Sequence, residues 1–270
     1  MSKIHFSLVS SWWRQCLTLL GVNYAYMVEY RAELILWVLA GSLPLILMGA
    51  WTKAAQEGNF GLESGQFVRY FLAVFLVRQL TIVWVIWDFE KEVVEGKLSS
   101  RLLQPLDPAW HHLAAHLSER LVRIPFTFLL VGLFFWVYPQ AFWMPDGQTI
   151  LWAILAIMLA FALRFVIQYT FALFAFWTER AAALEEVWFM VYLFLSGLIA
   201  PLEVFPPILR EIILWTPFPY MVNFPASILA GIPVSLGKGF GVSLGWLVAF
   251  GLWNRWLWRK GLKHYSGMGA

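Results

Sequence analysis

His111, His112 and His116 are the side chains in this 270-residue chain best spaced for metal ligation or proton transfer, because His112 and His116 stand one helical turn apart on one face. A metal centre would need further donors, and neither a cysteine nor a second carboxylate pair joins them. The reading is therefore amphipathic helix surface and no metal. The one cysteine, Cys16, allows no intramolecular disulfide. No G-x-x-x-x-G-K-[ST] phosphate loop and no H-E-x-x-H pair occurs, which leaves the chain without ATP-binding or zinc-peptidase chemistry of its own and weighs against an intramembrane enzyme. No catalytic residue and no cofactor is expected in it.

Two arginines raise a different possibility. Arg78 and Arg164 stand inside long apolar runs, where a charge costs at least ~2.5 kcal/mol on insertion scales and needs a partner, water or an interface. Gln168 lies one turn beyond Arg164 on the same face. These three either line a path for an anionic or amphiphilic cargo, or make structural pairs with a carboxylate or a backbone carbonyl. Both readings predict that they face protein, not lipid.

The elements that must position them are membrane helices. The composition is 61% hydrophobic, 18% aromatic and only 13% charged, with a mean hydropathy of +0.69, against roughly 25% charged in soluble domains. Apolar runs near the ~20 residues needed to cross a bilayer predict six spans: Leu34 to Trp51, Tyr70 to Trp87, Ile124 to Phe142, Thr149 to Trp177, Val187 to Ala200 and Gly239 to Trp258. The fold class is an all-α integral membrane protein, one transmembrane domain over residues 1–270. Residues 1–33 mix Trp12, Trp13, Leu17, Leu19, Leu20, Tyr24, Tyr26 and Met27 with Arg14, Glu29 and Arg31, as an interfacial amphipathic helix or a plain lead-in would. No cleavable signal is evident in them.

The basic residues set the orientation. With both termini inside, the cytoplasmic segments hold Lys3, Arg14, Arg31, Lys91, Lys97, Arg101, Arg120, Arg123, Arg180, Arg255, Arg259, Lys260 and Lys263. The opposite side holds Lys53, Arg69, Arg210 and Lys238. Thirteen against four places the termini and the 88–123 segment in the cytoplasm.

That segment, DFEKEVVEGKLSSRLLQPLDPAWHHLAAHLSERLVR, is the longest polar interruption in the chain. Its acidic and basic residues extend the second helix into water, Gly96 offers a stop, Ser99 or Ser100 can cap a short helix, and Pro105 and Pro108 fix the turn. From Ala109 a new amphipathic helix carries Trp110, Leu113, Leu117 and Leu121 into the third span. By pattern alone it is equally a solvated connector or a docking knob.

Three stretches carry a family resemblance that covers essentially the whole chain. EVVEGKLSSRLLQPLDP resembles the first cytoplasmic loop of permease subunits of type-2 ATP-binding-cassette exporters, in particular the viologen-exporter-like branch. VEYRAELILW is similar to that branch's entry into the first span, and Pro217, Phe218, Pro219, Tyr220, Phe224, Pro225, Ala226 and the Ile228 to Gly231 run resemble its proline-punctuated segment before the last span. The resemblance implies a permease half with MgATP handled by a partner. Two such permeases, identical or paralogous, pair and rest on two ATPase subunits. It also implies a coupling helix at about Leu98 through Trp110, with Leu98, Arg101, Leu102, Leu103, Pro105, Leu106, Asp107 and Trp110 as the contacting residues. Membrane lipid is the remaining partner, and nucleic acid is not one. An ion-coupled secondary transporter is the rival, but it would call for broken helices and ionisable residues at the midplane, and the sequence suggests that breaks lie outside the spans. Residues 201–238 carry Pro201, Pro206, Pro207, Pro217, Pro219, Pro225 and Pro233 within apolar sequence, which predicts short re-entrant helices or an external loop. Glu179, Arg180, Glu185 and Glu186 read as a solvated turn or a second ATPase contact. Gly237, Gly241 and Gly245 repeat every fourth residue, a pattern for close helix approach, internal or between subunits.

Overall fold

The computed structural model describes residues 2–58 and 60–265, with side chains from Arg14 onward. Trp12 and Trp13 of the expected amphipathic face, and Lys3 of the charge bias, lie outside the described side chains. The described residues form helices and short turns without a strand, the all-α membrane protein that the apolar runs predict.

Five helical stretches are long and apolar enough to cross a bilayer. The first is Arg31–Glu57, broken into α2 (Arg31–Ala40) and α3 (Leu43–Glu57), after α1 (Ser2–Glu29). The second is Ser64–Val94, broken into α4 (Ser64–Thr81) and α5 (Val85–Val94). After the five-residue α6 (Leu98–Leu102) come α7 (Pro108–Val137) and α8 (Gly147–Ala172), the latter prolonged by a tighter turn over Leu173–Phe176. The predicted span Val187 to Ala200 corresponds to α9 (Ala182–Leu195), 14 residues or about 21 Å at the helical rise, followed by a bent stretch. The last described helix is α12 (Leu236–His264).

Only the first break follows from a proline: Pro44 stands in the first turn of α3, and its ring would clash with the Ala40 carbonyl in a continuous helix. Gly41 and Ser42 interrupt the first span, and the carbonyl of Val38 that this exposes accepts a bond of 3.0 Å from Gln79 Nε2. The second break, at residues 82–84, falls in the run Thr81-Ile82-Val83-Trp84-Val85-Ile86, whose β-branched side chains are stiff at χ1 and poor in helix. Helix α7 repairs it. Arg120 donates to the carbonyls of Leu80 at 2.5 Å and Ile82 at 2.8 Å, and the Trp84 amide donates to His116 Nε2 at 2.8 Å. Backbone groups with no water to bond must be satisfied by protein, and three α7-to-break contacts do so. The expectation that breaks lie outside the spans is therefore corrected.

The proline-rich 201–238 region folds as a tight turn (Leu202–Val204), α10 (Pro207–Ile213), a second turn (Phe218–Met221) and α11 (Asn223–Ala230). Residues 218 to 228 are buried, packed on α4 and α8 inside one hydrophobic cluster. Pro225 sits in the first turn of α11, where a missing amide costs little. Tyr70 of α4 donates to the Gly197 carbonyl at 2.7 Å and accepts from Asn223 at 3.1 Å, so the bend after α9 is tied to α4 and α11 together. Gly197 has φ +87°, a left-handed conformation that glycine alone takes without strain.

A second cluster gathers α5, α6, the end of α8 and the end of α12: Phe89, Leu98, Tyr169, Phe176 and Leu257 meet there. It fixes the 88–123 segment to the spans.

Candidate functional site: the 88–123 segment and the buried arginines

The segment turns where glycine and proline foretold. Helix α5 stops at Gly96, which has φ +72°, and Asp107 caps α7 by accepting from the Ala109 amide at 3.0 Å, with Pro108 in the first turn. Ser99 and Ser100 are not caps. Both lie inside α6, preceded by Lys97, which makes no side-chain cap bond.

The eight expected contact residues divide by exposure. Leu98 is wholly buried in the second cluster and anchors α6. Leu103 is 89% exposed and Leu102 37%, apolar surface on the tip of a short helix; Pro105 is exposed and Leu106 half-buried. Arg101 pairs with Glu92 at 2.6 Å and Asp107 with Arg255 at 2.6 Å, so both charges brace the turn against α5 and α12. Trp110 is exposed on the first turn of α7. Glu90 accepts from the Ala182 amide at 2.6 Å, fastening α5 to the start of α9. Between α1 and this segment runs a polar groove of about 1110 Å³, where Arg14, Lys91, Lys97 and Arg101 face Asp88, Glu92 and Glu95. At its rim, the hydrogen bond and charge of Lys97 hold the Glu95 carboxyl below its ordinary range.

Two of the three histidines are not helix surface, while His111 remains partly exposed. His112 and His116 are 4% and 3% exposed, His112 with its Nε2 3.3 Å from Glu92 and His116 closing the break in the second span. Their shared face was legible; that it points inward follows from Phe89 of α5 and from Phe165 and Tyr169 of α8, whose rings stand against it and which a single-helix pattern does not reveal. No cluster of three or more potential metal ligands occurs among the described residues.

The arginines face protein. Arg164, 7% exposed, donates to the Tyr192 hydroxyl at 2.7 Å and lies over its ring, 4.6 Å from the centroid. Gln168 donates to Glu185 at 2.6 Å. Glu185 is thus buried, contrary to the solvated turn expected for it. Arg78 lies within electrostatic reach of Arg164 and Tyr192, and its Nη1 is buried without a hydrogen-bond partner among the described residues. Sequence reading missed two members of this set, Tyr192 and Glu185, since nothing in their own neighbourhood marks them; both come from α9, which covers the cluster.

A lower set on α7 adds Arg123 paired to Glu119 across one turn, with Arg123 at 3.5 Å from Gln79. Gly237, Gly241 and Gly245 make no internal seam: a Cβ at any of them meets open space. The close approach is at Gly239, against Phe224, and at Gly261, against Phe176. Gly241 to Gly245 also spells G-x-S-x-G, the spacing of a hydrolase nucleophile turn. Ser243 is 2% exposed in the middle of a helix and donates to the Gly239 carbonyl at 2.7 Å, so it lacks the exposed strand-to-helix turn of a nucleophile.

Against known families, the model for ABC-2 family transporter proteins matches residues 37–269. The chain belongs to the ABC-2 transporter family. This ABC-2 chain is a multi-pass membrane protein and a permease component of an ABC transporter, the kind of subunit that works with an ATPase partner. No curated protein matches it. The match spans from α2 through the last described turn of the ABC-2 permease and includes both the 88–123 segment and the buried arginines.

Proposed function

We propose that this chain is the membrane half of an ATP-driven exporter of the plasma membrane, which takes its power stroke through Leu98 to Trp110. Both termini and the 88–123 segment face the cytoplasm in this reading, on the thirteen-to-four charge bias. MgATP binds and is hydrolysed on a separate subunit, two copies per complex, and a second permease, identical or paralogous, completes the path.

The observation that carries the reading is the form of the α5–α7 turn. Leu98 is locked in the core while Leu102 and Leu103 stand out on a one-turn helix, an apolar tip on a braced base. Force applied at that tip reaches α5, α7 and α12 directly, through Glu92–Arg101 and Asp107–Arg255. Arg78, Arg164 and Gln168 then lie behind α9, whose outer face bears exposed Val187, Met190 and Phe194. Movement of α9 would open the cluster to a hydrophobic or amphiphilic cargo carrying negative charge. The breaks in α2–α3 and α4–α5 do not favour ion coupling, because their exposed carbonyls at Val38, Leu80 and Ile82 are already bonded by side chains and give a cation nothing to bind.

Co-purification tests the reading. An ATPase subunit is expected to come with the tagged wild-type chain, and Leu102→Glu with Leu103→Glu is expected to lose it without lowering the melting temperature. Hydrolysis of ATP by the purified chain alone would contradict the division of labour, and transport driven by a proton gradient without ATP would favour the secondary transporter.

A further inference from the structure

A groove of about 800 Å³ runs between α7, α8 and α12, with Leu20 of α1 at one edge. It is separate from the cluster behind α9 and from the tip of α6. Its α7 wall extends from Ala109 to Ile124, about 22 Å at the helical rise, close to one leaflet of a bilayer of ~40–45 Å including headgroups. The walls are apolar, and the polar residues on them are few: Arg120, Tyr169, Asn254 and Arg255. No carboxylate lines it.

Two features mark it as a place for a ligand with a polar end. Tyr169 is 4% exposed, and its buried hydroxyl has no hydrogen-bond partner among the described residues, whereas Asn254 beside it is bonded to Thr170 at 3.2 Å. A buried hydroxyl left unpaired costs free energy that a bound acceptor would recover. The rim near the start of α7 carries two arginines and one carboxylate, since Arg255 pairs there with Asp107 at 2.6 Å. Arg259, one turn on along the same face of α12, is exposed and makes no ion pair among the described residues.

We propose that this groove holds one phospholipid with an anionic headgroup, its acyl chain along α7 and α8 and its phosphate between Tyr169 and the Arg255–Arg259 rim. The occupant is a bilayer lipid for three reasons: the groove's length matches a leaflet, it presents positive charge only at the headgroup level and beside Phe161 where Arg120 is bonded, and its walls are apolar between. The lipid wedges the third, fourth and sixth spans apart at the level of the coupling segment and is held there during transport.

Native mass spectrometry of the purified chain in mild detergent, with phosphatidylglycerol or phosphatidylcholine added, tests it. Wild type is expected to retain phosphatidylglycerol roughly fivefold better than phosphatidylcholine, given the attraction of Arg259 at a membrane surface, with Arg255 shared between the phosphate and Asp107. Arg255→Gln with Arg259→Gln should erase that preference, and Tyr169→Phe should weaken retention by about threefold to tenfold with an unchanged melting temperature. Gly251→Trp should block both lipids, because a side chain at Gly251 meets no protein atom within 4 Å and projects into free space. Equal retention by wild type and Gly251→Trp would overturn the proposal. So would a Gly251→Trp chain that turns from dimer to monomer, since the groove would then belong to a second copy, and so would release of the bound lipid by each round of ATP hydrolysis, which would make it cargo.

Discussion

Arg164 keeps a charge where the surrounding chain is almost wholly apolar, and it does so with a phenol as partner. A neutral hydroxyl satisfies one N–H, the aromatic face screens the guanidinium, and Glu185 supplies negative charge across Gln168. Tyr192→Phe should therefore lower stability by about 1–3 kcal/mol, the range for a lost bond to a charged group, measured as an earlier thermal unfolding transition in detergent. A transition at the wild-type temperature would mean that the ring, not the hydroxyl, holds the arginine. At the other end of α8, Asp146 caps the helix. Hydrogen bonds from the Thr149 hydroxyl and from the Thr149 and Gln148 amides hold its carboxyl below the ordinary value. A depressed folded-state pKa means stability present above the unfolded value and lost as pH falls through the folded one. Melting temperature should decline below about pH 4, and Asp146→Ala should show a shallower decline there. The Arg78, Arg164 and Gln168 set could be chosen from sequence because charge in an apolar run is conspicuous. Tyr192 and Glu185 could not, since a tyrosine in an aromatic-rich helix and an acid at a helix start are ordinary, and only the folding of α9 onto α8 brings them to the arginine.

Among the elements, α7 has the widest set of duties. It closes the break in the second span with His116 and Arg120, carries the Arg123–Glu119 pair and supports α1 through the Ser118 bond to the Leu20 carbonyl at 3.0 Å. The break was illegible because it contains neither glycine nor proline, and the groups that stabilise it lie 32 to 40 residues along the chain. The turns at Gly96 and Pro108, by contrast, follow from local chemistry, whereas the cap falls on Asp107 and not on Ser99 or Ser100. The glycine stripe shows where a motif misleads: spacing alone cannot tell which glycine meets a neighbour. Gly239→Ala should cost about 1–3 kcal/mol, since the added methyl overlaps the buried ring of Phe224. Gly241→Ala, facing open space, should be neutral or stabilise by about 0.5–1 kcal/mol through helix propensity. Thermal unfolding of the two variants side by side checks this, and the reverse order would refute the assignment of the close contact.

At the scale of the molecule, hydropathy and charge sufficed for an all-α membrane chain, and the family match agrees. What patterning could not convey is how the polar segment is built into the bundle: one leucine buried, two leucines presented, two ion pairs bracing the turn. The central claim is that the α6 tip meets an ATPase, and site-specific photo-cross-linking in native membranes tests it most directly. A cross-linker in place of Leu103 should give an adduct with an ATP-binding subunit, while one in place of buried Leu98 should give none. An intact complex that yields no adduct from Leu103 would contradict the account.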